Sequence, residues 1–135
     1  MEKAKTIAVN LLVTALIAIL LIWGNTLYRQ WQQFRCGERA LAANRIIPAI
    51  AGYEAAIHMY TPLSPLVERS AARLWEITAR CEKSRDLEQA LIACRALRSS
   101  FYADRGLFQP GREWIARCDA KIAELLKARE SLKTK

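Results

Sequence analysis

An uninterrupted apolar run near the N-terminus, from Ile7 to Trp23, constrains this chain more than any other feature. The run contains no charged residue, and together with Thr6 it makes about 18 residues, which extend over roughly 27 Å as an α-helix. That length is just enough to cross the hydrocarbon core of a bilayer. The sequence therefore predicts a membrane-spanning helix, and we assign residues 1–28 to a transmembrane anchor.

A cleaved secretory signal is the alternative interpretation of this run, because the first residues, MEKAK, supply a positive amino-terminal region. However, the run exceeds the usual length of about 7 to 15 apolar residues, and the following GNTLYRQW contains no small-x-small cleavage site. Trp23, Tyr28 and Trp31 also cluster where the span should reach the headgroup level, which amphipathic rings prefer. These features favour retention of the run as an anchor.

Orientation is predicted from what lies on each side of the span, because both sides carry positive charge. Lys3 and Lys5 are crowded into a short tail, whereas Arg29, Arg35 and Arg39 belong to a long following domain. Long domains are generally translocated whatever their charge. The sequence therefore predicts a single-pass protein of the bacterial inner membrane, with a cytoplasmic N-terminus and residues 24–135 in the periplasm.

The remainder of the chain has the composition of one small helical domain that favours an anionic partner. Glycine is sparse, strand-like alternation is missing, and Ala, Leu, Arg and Glu recur at spacings of three and four residues, which indicates an all-α fold. The net charge of +8 suits acidic headgroups or simple solvation. Because no helix-turn-helix, zinc-finger or RNA-binding motif is present, we predict no nucleic acid partner.

Apolar spacing and turn residues predict the bounds of the helices. The first extends to about Ala43, either continuous with the span or broken at Gly24–Asn25. In the second predicted helix Pro48 fits the first turn, and an inward stripe precedes the stop at Thr61–Pro62; the stripe is Ile50, Tyr53, Ile57 and Tyr60. The third runs from the N-cap Ser64 to about Lys83, with an apolar face of Leu66, Ser70, Leu74, Ile77 and Cys81.

The fourth predicted helix runs from the N-cap Asp86 to a stop at Asp104, Arg105 and Gly106, with an inward face of Leu87, Leu91, Cys94, Leu97 and Phe101. The last begins near Pro110, buries Trp114, Cys118, Ile122 and Leu125, and leads to a fraying charged tail that starts at Lys127. Domain residues 29–130 thus precede a terminal segment, 131–135.

Small residues and aromatics within these helices fall at fixed offsets. Gly37, the turn at Asn44, Ala49, Tyr53, Ala56 and, displaced by one, Pro62 follow this pattern, and Ala90, Cys94 and Leu97 repeat part of it about 41 residues downstream. The pattern resembles the tetratricopeptide (TPR) repeat. The resemblance implies about two antiparallel helix hairpins followed by a capping helix. A generic antiparallel helical bundle is the alternative.

The resemblance also implies a binding groove for a protein or peptide, lined by the first helix of each repeat. Carrying the family's offsets over to this chain places Trp31, Phe34, Glu38, Leu41 and Trp75 in the groove. Aromatic anchors near arginine are typical of recognition sites. The alternative assigns Trp31 to the membrane belt and Trp75 to the core. Because two repeats are fewer than the three usually needed for stability, the anchor helix or a partner must supply contacts.

The sequence contains no recognisable catalytic motif. His58 is the single histidine, no Ser or Cys motif surrounds a nucleophile, and no glycine-rich loop precedes a helix. The four cysteines have no C-x-x-C spacing, so neither zinc nor covalent haem is indicated. If the last two helices fold back about residues 104–109, Cys94 faces Cys118, which makes them the preferred pair for a possible disulfide among three connectivities. The alternative is that the cysteines on these apolar faces act as small hydrophobic residues. We therefore predict no enzyme, metal or cofactor.

Within the span, Asn10, Thr14 and Ala18 are spaced by four residues and line one side of the helix. Small and weakly polar residues are what membrane helices use to associate with one another. This stripe predicts docking to other membrane protein subunits, and the alternative is tolerance on a lipid-facing surface.

Taken together, these features predict a non-enzymatic, membrane-anchored scaffold or accessory subunit that binds other subunits of an envelope complex. The alternative is a peripheral basic module that binds anionic lipid headgroups. A carrier of an electron-transfer centre is a third, minor option, which visible absorbance would test.

Overall fold

The computed structural model describes residues 1–61, 63–103 and 111–134. Within these ranges the chain is helical and contains no strand, which confirms the all-α prediction. The helices are α1 Glu2–Ala42, α2 Ile46–His58, α3 Leu66–Lys83, α4 Leu87–Ala103 and α5 Arg112–Lys133. The predicted stop at Asp104, Arg105 and Gly106, the residue Pro62 and the predicted start near Pro110 lie outside the described residues.

Helix α1 runs without interruption through the whole apolar run and into the domain. It contains 41 residues and is about 60 Å long. The alternative break at Gly24–Asn25 does not occur. The helix is long and apolar enough to cross a membrane, and its most apolar window of 18 residues is 0% buried. The anchor and the first helix of the domain are therefore one rod.

The C-terminal half of α1 packs closely against α2. Its buried residues are Gln30, Phe34, Gly37 and Ala40, which recur every three or four positions on one side. A Cβ added at Gly52 of α2 would lie only 2.6 Å from the Gly37 nitrogen. The backbones of α1 and α2 thus approach each other where neither helix carries a side chain. This contact packs α2 against the buried side of α1.

The apolar faces predicted for α3 and α4 form most of the core. Ser70, Leu74, Ile77 and Cys81 of α3 are buried, as are Leu91, Cys94, Leu97 and Phe101 of α4. From α5, Cys118 and Leu125 are buried, while Trp114 and Ile122 pack against the core from its edge. The periodicity therefore identified the inward face of each of these helices.

The predicted boundaries between α2 and α3 were wrong by one or two residues. Helix α2 ends at His58 rather than Tyr60, and the Tyr60 side chain, predicted to face inward, is 45% exposed. Pro65 rather than Ser64 is the N-cap of α3. The physical reason is that the Ser64 hydroxyl donates to Gln30 Oε1 of α1 at 2.6 Å, which fixes the turn to α1.

The C-terminal segment was also predicted incorrectly, because α5 continues to Lys133 instead of fraying from Lys127. Two contacts hold this extension on α4. Leu125 is 1% exposed, and the Arg129 guanidinium pairs with the Glu88 carboxylate of α4 at 2.9 Å. Helix propensity near the chain end is therefore reinforced by packing and charge.

Candidate functional site

The predicted groove residues lie on or beside a surface formed by side chains of α1, α3 and α5, which we call the α1/α3/α5 face. Helix α3 lies in its middle. Arg69, Arg73 and Arg80, spaced by four and seven residues along α3, contact side chains of α1 or of the turn that follows it. Glu68, Trp75 and Glu82 contact side chains of α5 on the other side of α3.

Glu38 is the polar centre of the contact between α1 and α3. Its carboxylate accepts a hydrogen bond from the Tyr53 hydroxyl at 2.7 Å and from Arg73 Nε and Nη2 at 2.8 and 3.1 Å. The other Arg73 nitrogen, Nη1, donates to Glu76 at 2.8 Å. Burial, and then the hydrogen bond to Glu38, raises the pKa of Tyr53 above its ordinary value. Glu38 therefore ties three helices together.

Phe34 and Leu41 flank Glu38 along α1. Phe34 is 6% exposed, and its ring meets the edge of the Tyr53 ring at 5.7 Å. The Arg69 guanidinium lies 5.0 Å from the centre of the Phe34 ring and covers it. Leu41 is half-buried and lines a shallow depression of about 310 Å³ together with Arg73, Glu76, Ile77 and Arg80. A ligand placed above Phe34 would therefore touch the Arg69 guanidinium rather than the Phe34 ring.

Trp75 belongs to an aromatic cluster at the contact between α3 and α5. Its ring centre lies 6.2 Å from that of Trp114, and the Arg117 guanidinium lies 5.2 Å from Trp75 and 5.0 Å from Trp114. The Trp114 indole donates to Glu68 at 3.0 Å. A cavity of about 440 Å³ opens beside Trp114 and Arg117. Trp75 is thus half-buried and remains at the surface.

Trp31 lies towards the membrane end of the face. Its side chain is 43% exposed, its ring centre is 6.2 Å from that of Tyr28, and the Arg35 guanidinium lies 4.7 Å from the ring. The structure therefore does not bring Trp31 together with Trp75. Its surroundings suit both predicted roles, the membrane belt and the groove.

Arginines on this surface fall into two electrostatic classes. The charge of Arg73 is compensated by Glu38 and Glu76. Arg35, Arg69 and Arg117 instead stack on aromatic rings and have no carboxylate partner among the residues that the structure describes. A guanidinium held over a ring keeps its charge and its donors at the edge. These three positions can therefore bind carboxylate or phosphate groups.

The polar side chains of the apolar run differ in whether they have a hydrogen-bond partner. The Thr14 hydroxyl donates to the Asn10 carbonyl at 2.8 Å, so it is satisfied within α1. The Asn10 amide makes no hydrogen bond to the part of the chain that the structure describes, and Asn10, Thr14 and Ala18 are all exposed. Within a bilayer an unpartnered amide favours contact with another polar group. Asn10 is therefore the strongest member of the stripe.

Cys94 and Cys118 lie next to each other between α4 and α5. Both are buried free thiols, and Cys94 Sγ is 3.8 Å from the Cys118 carbonyl oxygen. The hydrogen bond with Cys94 and burial raise the pKa of Cys118, which slows its reaction because the thiolate is the nucleophile. The disulfide stays a prediction. Mass spectrometry after unfolding and alkylation without reductant tests it, because a disulfide blocks both thiols.

Sequence reasoning missed two parts of this arrangement. Gln30 is fully buried, and it donates to the Ala56 carbonyl at 2.9 Å while accepting from Ser64. Its position, four residues before Phe34 and seven before Gly37 on the same side of the helix, could have revealed it. Arg117 between two tryptophan rings had no such signal, because the contact depends on how two helices meet.

No group of three or more His, Cys, Asp or Glu side chains that could hold a metal ion occurs within residues 1–61, 63–103 and 111–134. The α1/α3/α5 face carries the ion pair of Arg73 with Glu38 and arginines stacked on aromatic rings. Comparison of the chain with known protein families, with curated proteins and with solved structures finds no match.

Proposed function

We propose that this protein is a non-enzymatic, single-pass membrane scaffold that binds other subunits of a bacterial inner-membrane or envelope complex. The N-terminus is cytoplasmic, α1 crosses the membrane, and the helical domain binds its partner in the periplasm. The observation that carries the proposal is the continuity of α1, whose first half exposes apolar side chains on all sides and whose second half is built into the domain.

In this proposal α1 with α2, and α3 with α4, act as tetratricopeptide-like hairpins, and α5 is the capping helix. Two observations support it. The Gly37–Gly52 approach lies where such hairpins need small residues, and the side chains of α1, α3 and α5 share one face, as the first helices of successive repeats do. The partner is a protein segment that carries acidic side chains, because Arg69 and Arg117 present charge without a carboxylate partner among the described residues.

The test is purification of the full chain from its native membrane in a gentle detergent, with identification of co-purifying proteins. The variant Arg69→Glu/Arg117→Glu reverses two charges on the α1/α3/α5 face. Arg95→Glu/Lys127→Glu makes the same change of net charge at exposed positions on α4 and α5. We expect the first pair to lose the partner and the control pair to retain it. Equal recovery with both variants would contradict the proposed face.

The net charge of +8 favours a second candidate, a basic module that binds anionic headgroups. The two differ in what they bind and in their response to salt. Strong binding of the helical domain to anionic vesicles in the absence of a protein partner would favour the lipid module, provided that salt weakens it. A discrete stoichiometric complex that survives detergent would favour the scaffold.

A further inference from the structure

The turn between α2 and α3 carries two exposed hydrophobic side chains. We call Tyr60, Thr61, Leu63 and Ser64 the α2–α3 corner. Within it Leu63 is 98% exposed and Tyr60 is 45% exposed, whereas Thr61 is 3% exposed. Leu63 also has a φ of 68°, in the left-handed region that a leucine rarely adopts. An exposed, strained leucine gains nothing from the folded domain in water.

The corner is nevertheless held firmly. The Ser64 hydroxyl donates to Gln30 Oε1 at 2.6 Å, and Gln30 Nε2 donates to the Ala56 carbonyl at 2.9 Å. The Ser64 backbone nitrogen also donates to the Thr61 carbonyl at 3.1 Å. Since Gln30 is 0% exposed, these bonds are shielded from water. The turn is thus fixed to α1 through Ser64, with the adjacent Leu63 exposed.

Contacts between α1 and α2 show where the α2–α3 corner lies along α1. Gly52 meets Gly37 and Ala56 meets Gln30, so later residues of α2 lie beside earlier residues of α1. Gln30 lies about 10 Å along the helix from the end of the apolar run, and the corner continues from there towards the span. Thr26 and Leu27 are half-buried although Asn25 is exposed, which agrees with this placement.

Thr26 and Leu27 lie about 5 to 6 Å along α1 from Trp23, which is within the headgroup layer of about 5 to 8 Å on each side of the hydrocarbon core. Tyr28 lies at the outer edge of this layer, which aromatic rings with a polar group prefer. Arg29 supplies positive charge next to it, which attracts anionic headgroups. The headgroup layer is therefore the surface that the exposed hydrophobic side chains of the α2–α3 corner can contact.

We propose that the α2–α3 corner is a second membrane contact, in which Tyr60 and Leu63 enter the headgroup layer beside the anchor. Since α1 is unbroken, the two contacts together fix the tilt of the domain and the direction in which the α1/α3/α5 face points. This inference rests on the proposed function only in that α1 crosses the membrane.

The experiment uses the full chain in nanodiscs of phosphatidylcholine and phosphatidylglycerol, with Cys36→Ser removing the exposed native thiol. A cysteine introduced by Leu63→Cys carries an environment-sensitive fluorophore, and the three native cysteines that remain are buried. Ile47→Cys, 48% exposed at the other end of α2, is the matched control, and Leu16→Cys, 59% exposed, reports on the span. We expect a headgroup-attached nitroxide to quench the Leu63 label several-fold more than the Ile47 label.

Other outcomes separate this inference from the proposed function. The Leu16 label is read with a nitroxide on the lipid acyl chain, which reaches the hydrocarbon core. Quenching at Leu16 by the acyl-chain nitroxide without quenching at Leu63 by the headgroup nitroxide would overturn the second contact and leave the anchor intact, whereas no quenching at either position would overturn both. A Leu63 label that is protected from aqueous iodide in native membranes, yet not quenched by lipid, would show that a protein covers the corner and would overturn the lipid contact.

A second measurement keeps the fluorophore away from the inserted side chains. The label is placed at Pro65→Cys, an exposed position at the rim of the corner, and is compared with and without Tyr60→Ser/Leu63→Ser. We expect the double variant to reduce lipid quenching several-fold, and Ile47→Ser/Ile92→Ser to leave it unchanged. Equal quenching in both variants would contradict a role for Tyr60 and Leu63.

Discussion

The two halves of α1 form one continuous helix but have opposite surface patterns. From Glu2 to Trp23 every residue is exposed and apolar side chains cover all sides, whereas from Gln30 to Ala40 burial recurs on one side only. A helix that is apolar all round suits lipid, and a one-sided stripe suits packing against a domain. The comparison teaches that one backbone geometry serves two environments, and that the change occurs within a few residues.

The largest expected difference between the domain and the apolar half of α1 is in the free energy of unfolding when a glycine is replaced by alanine. Gly52→Ala places a Cβ 2.6 Å from the Gly37 backbone nitrogen, so α1 and α2 must separate, and we expect a loss of about 2 to 3 kcal/mol in the free energy of unfolding. Gly24→Ala meets nothing within 4 Å and should be neutral or slightly stabilising. Thermal unfolding of the full chain followed by circular dichroism checks this. Similar midpoints for both variants would refute the close approach.

Glutamine substitutions give a smaller difference, between neighbouring positions of the domain half. Gln30→Ala removes a buried amide and leaves the Ala56 carbonyl and Ser64 hydroxyl without their partner, so we expect a cost of about 2 kcal/mol. Gln32→Ala loses only an exposed bond to the Tyr28 hydroxyl and should cost less than about 0.5 kcal/mol. Denaturant unfolding in detergent measures both, and an equal cost would argue against the buried network.

Prediction from sequence succeeded where a property follows from spacing along one helix. The inward faces of α3 and α4, such as Leu74 and Leu91, obey the helical period, and the apolar run identified the helix that is long and apolar enough to cross a membrane. The same reasoning missed Gly52, because its importance depends on Gly37 fifteen residues earlier.

The candidate site was predicted less completely than the helices. Phe34, Glu38, Leu41 and Trp75 lie on the α1/α3/α5 face or beneath it, but sequence could not show that Arg69 covers Phe34 or that Glu38 is occupied by Tyr53 and Arg73. These contacts depend on side-chain directions between helices far apart in sequence. The TPR-like assembly itself stays a prediction.

Alkaline pH provides a test of the domain half alone. Because the folded pKa of Tyr53 is raised, its stabilising effect is complete below the ordinary tyrosine pKa of about 10 and declines as pH rises above it. Tyr53→Phe should cost about 1 kcal/mol near neutral pH, through the lost bond to Glu38, and should reduce the alkaline decline. Cys118, whose pKa is also raised, adds a decline that the variant leaves in place.

Urea unfolding at neutral and alkaline pH measures this effect. Tyr60→Phe is the matched control, because Tyr60 is exposed and its hydroxyl donates no comparable bond within the described residues. If Tyr53→Phe and the parent chain lost stability in parallel above about pH 10, the raised pKa would not contribute to folding.

The smallest expected effect belongs to the apolar half of α1 and compares two polar residues of one stripe. Asn10→Leu removes an amide that has no partner among the described residues, so we expect association with partner helices to weaken by about 0.6 kcal/mol, or roughly threefold. Thr14→Val removes a hydroxyl already bonded to the Asn10 carbonyl at 2.8 Å and should change association little. Energy transfer between labelled anchor and partner subunits in vesicles measures both. If Thr14→Val weakened association as much as Asn10→Leu, packing along the stripe rather than the free amide would determine how α1 docks.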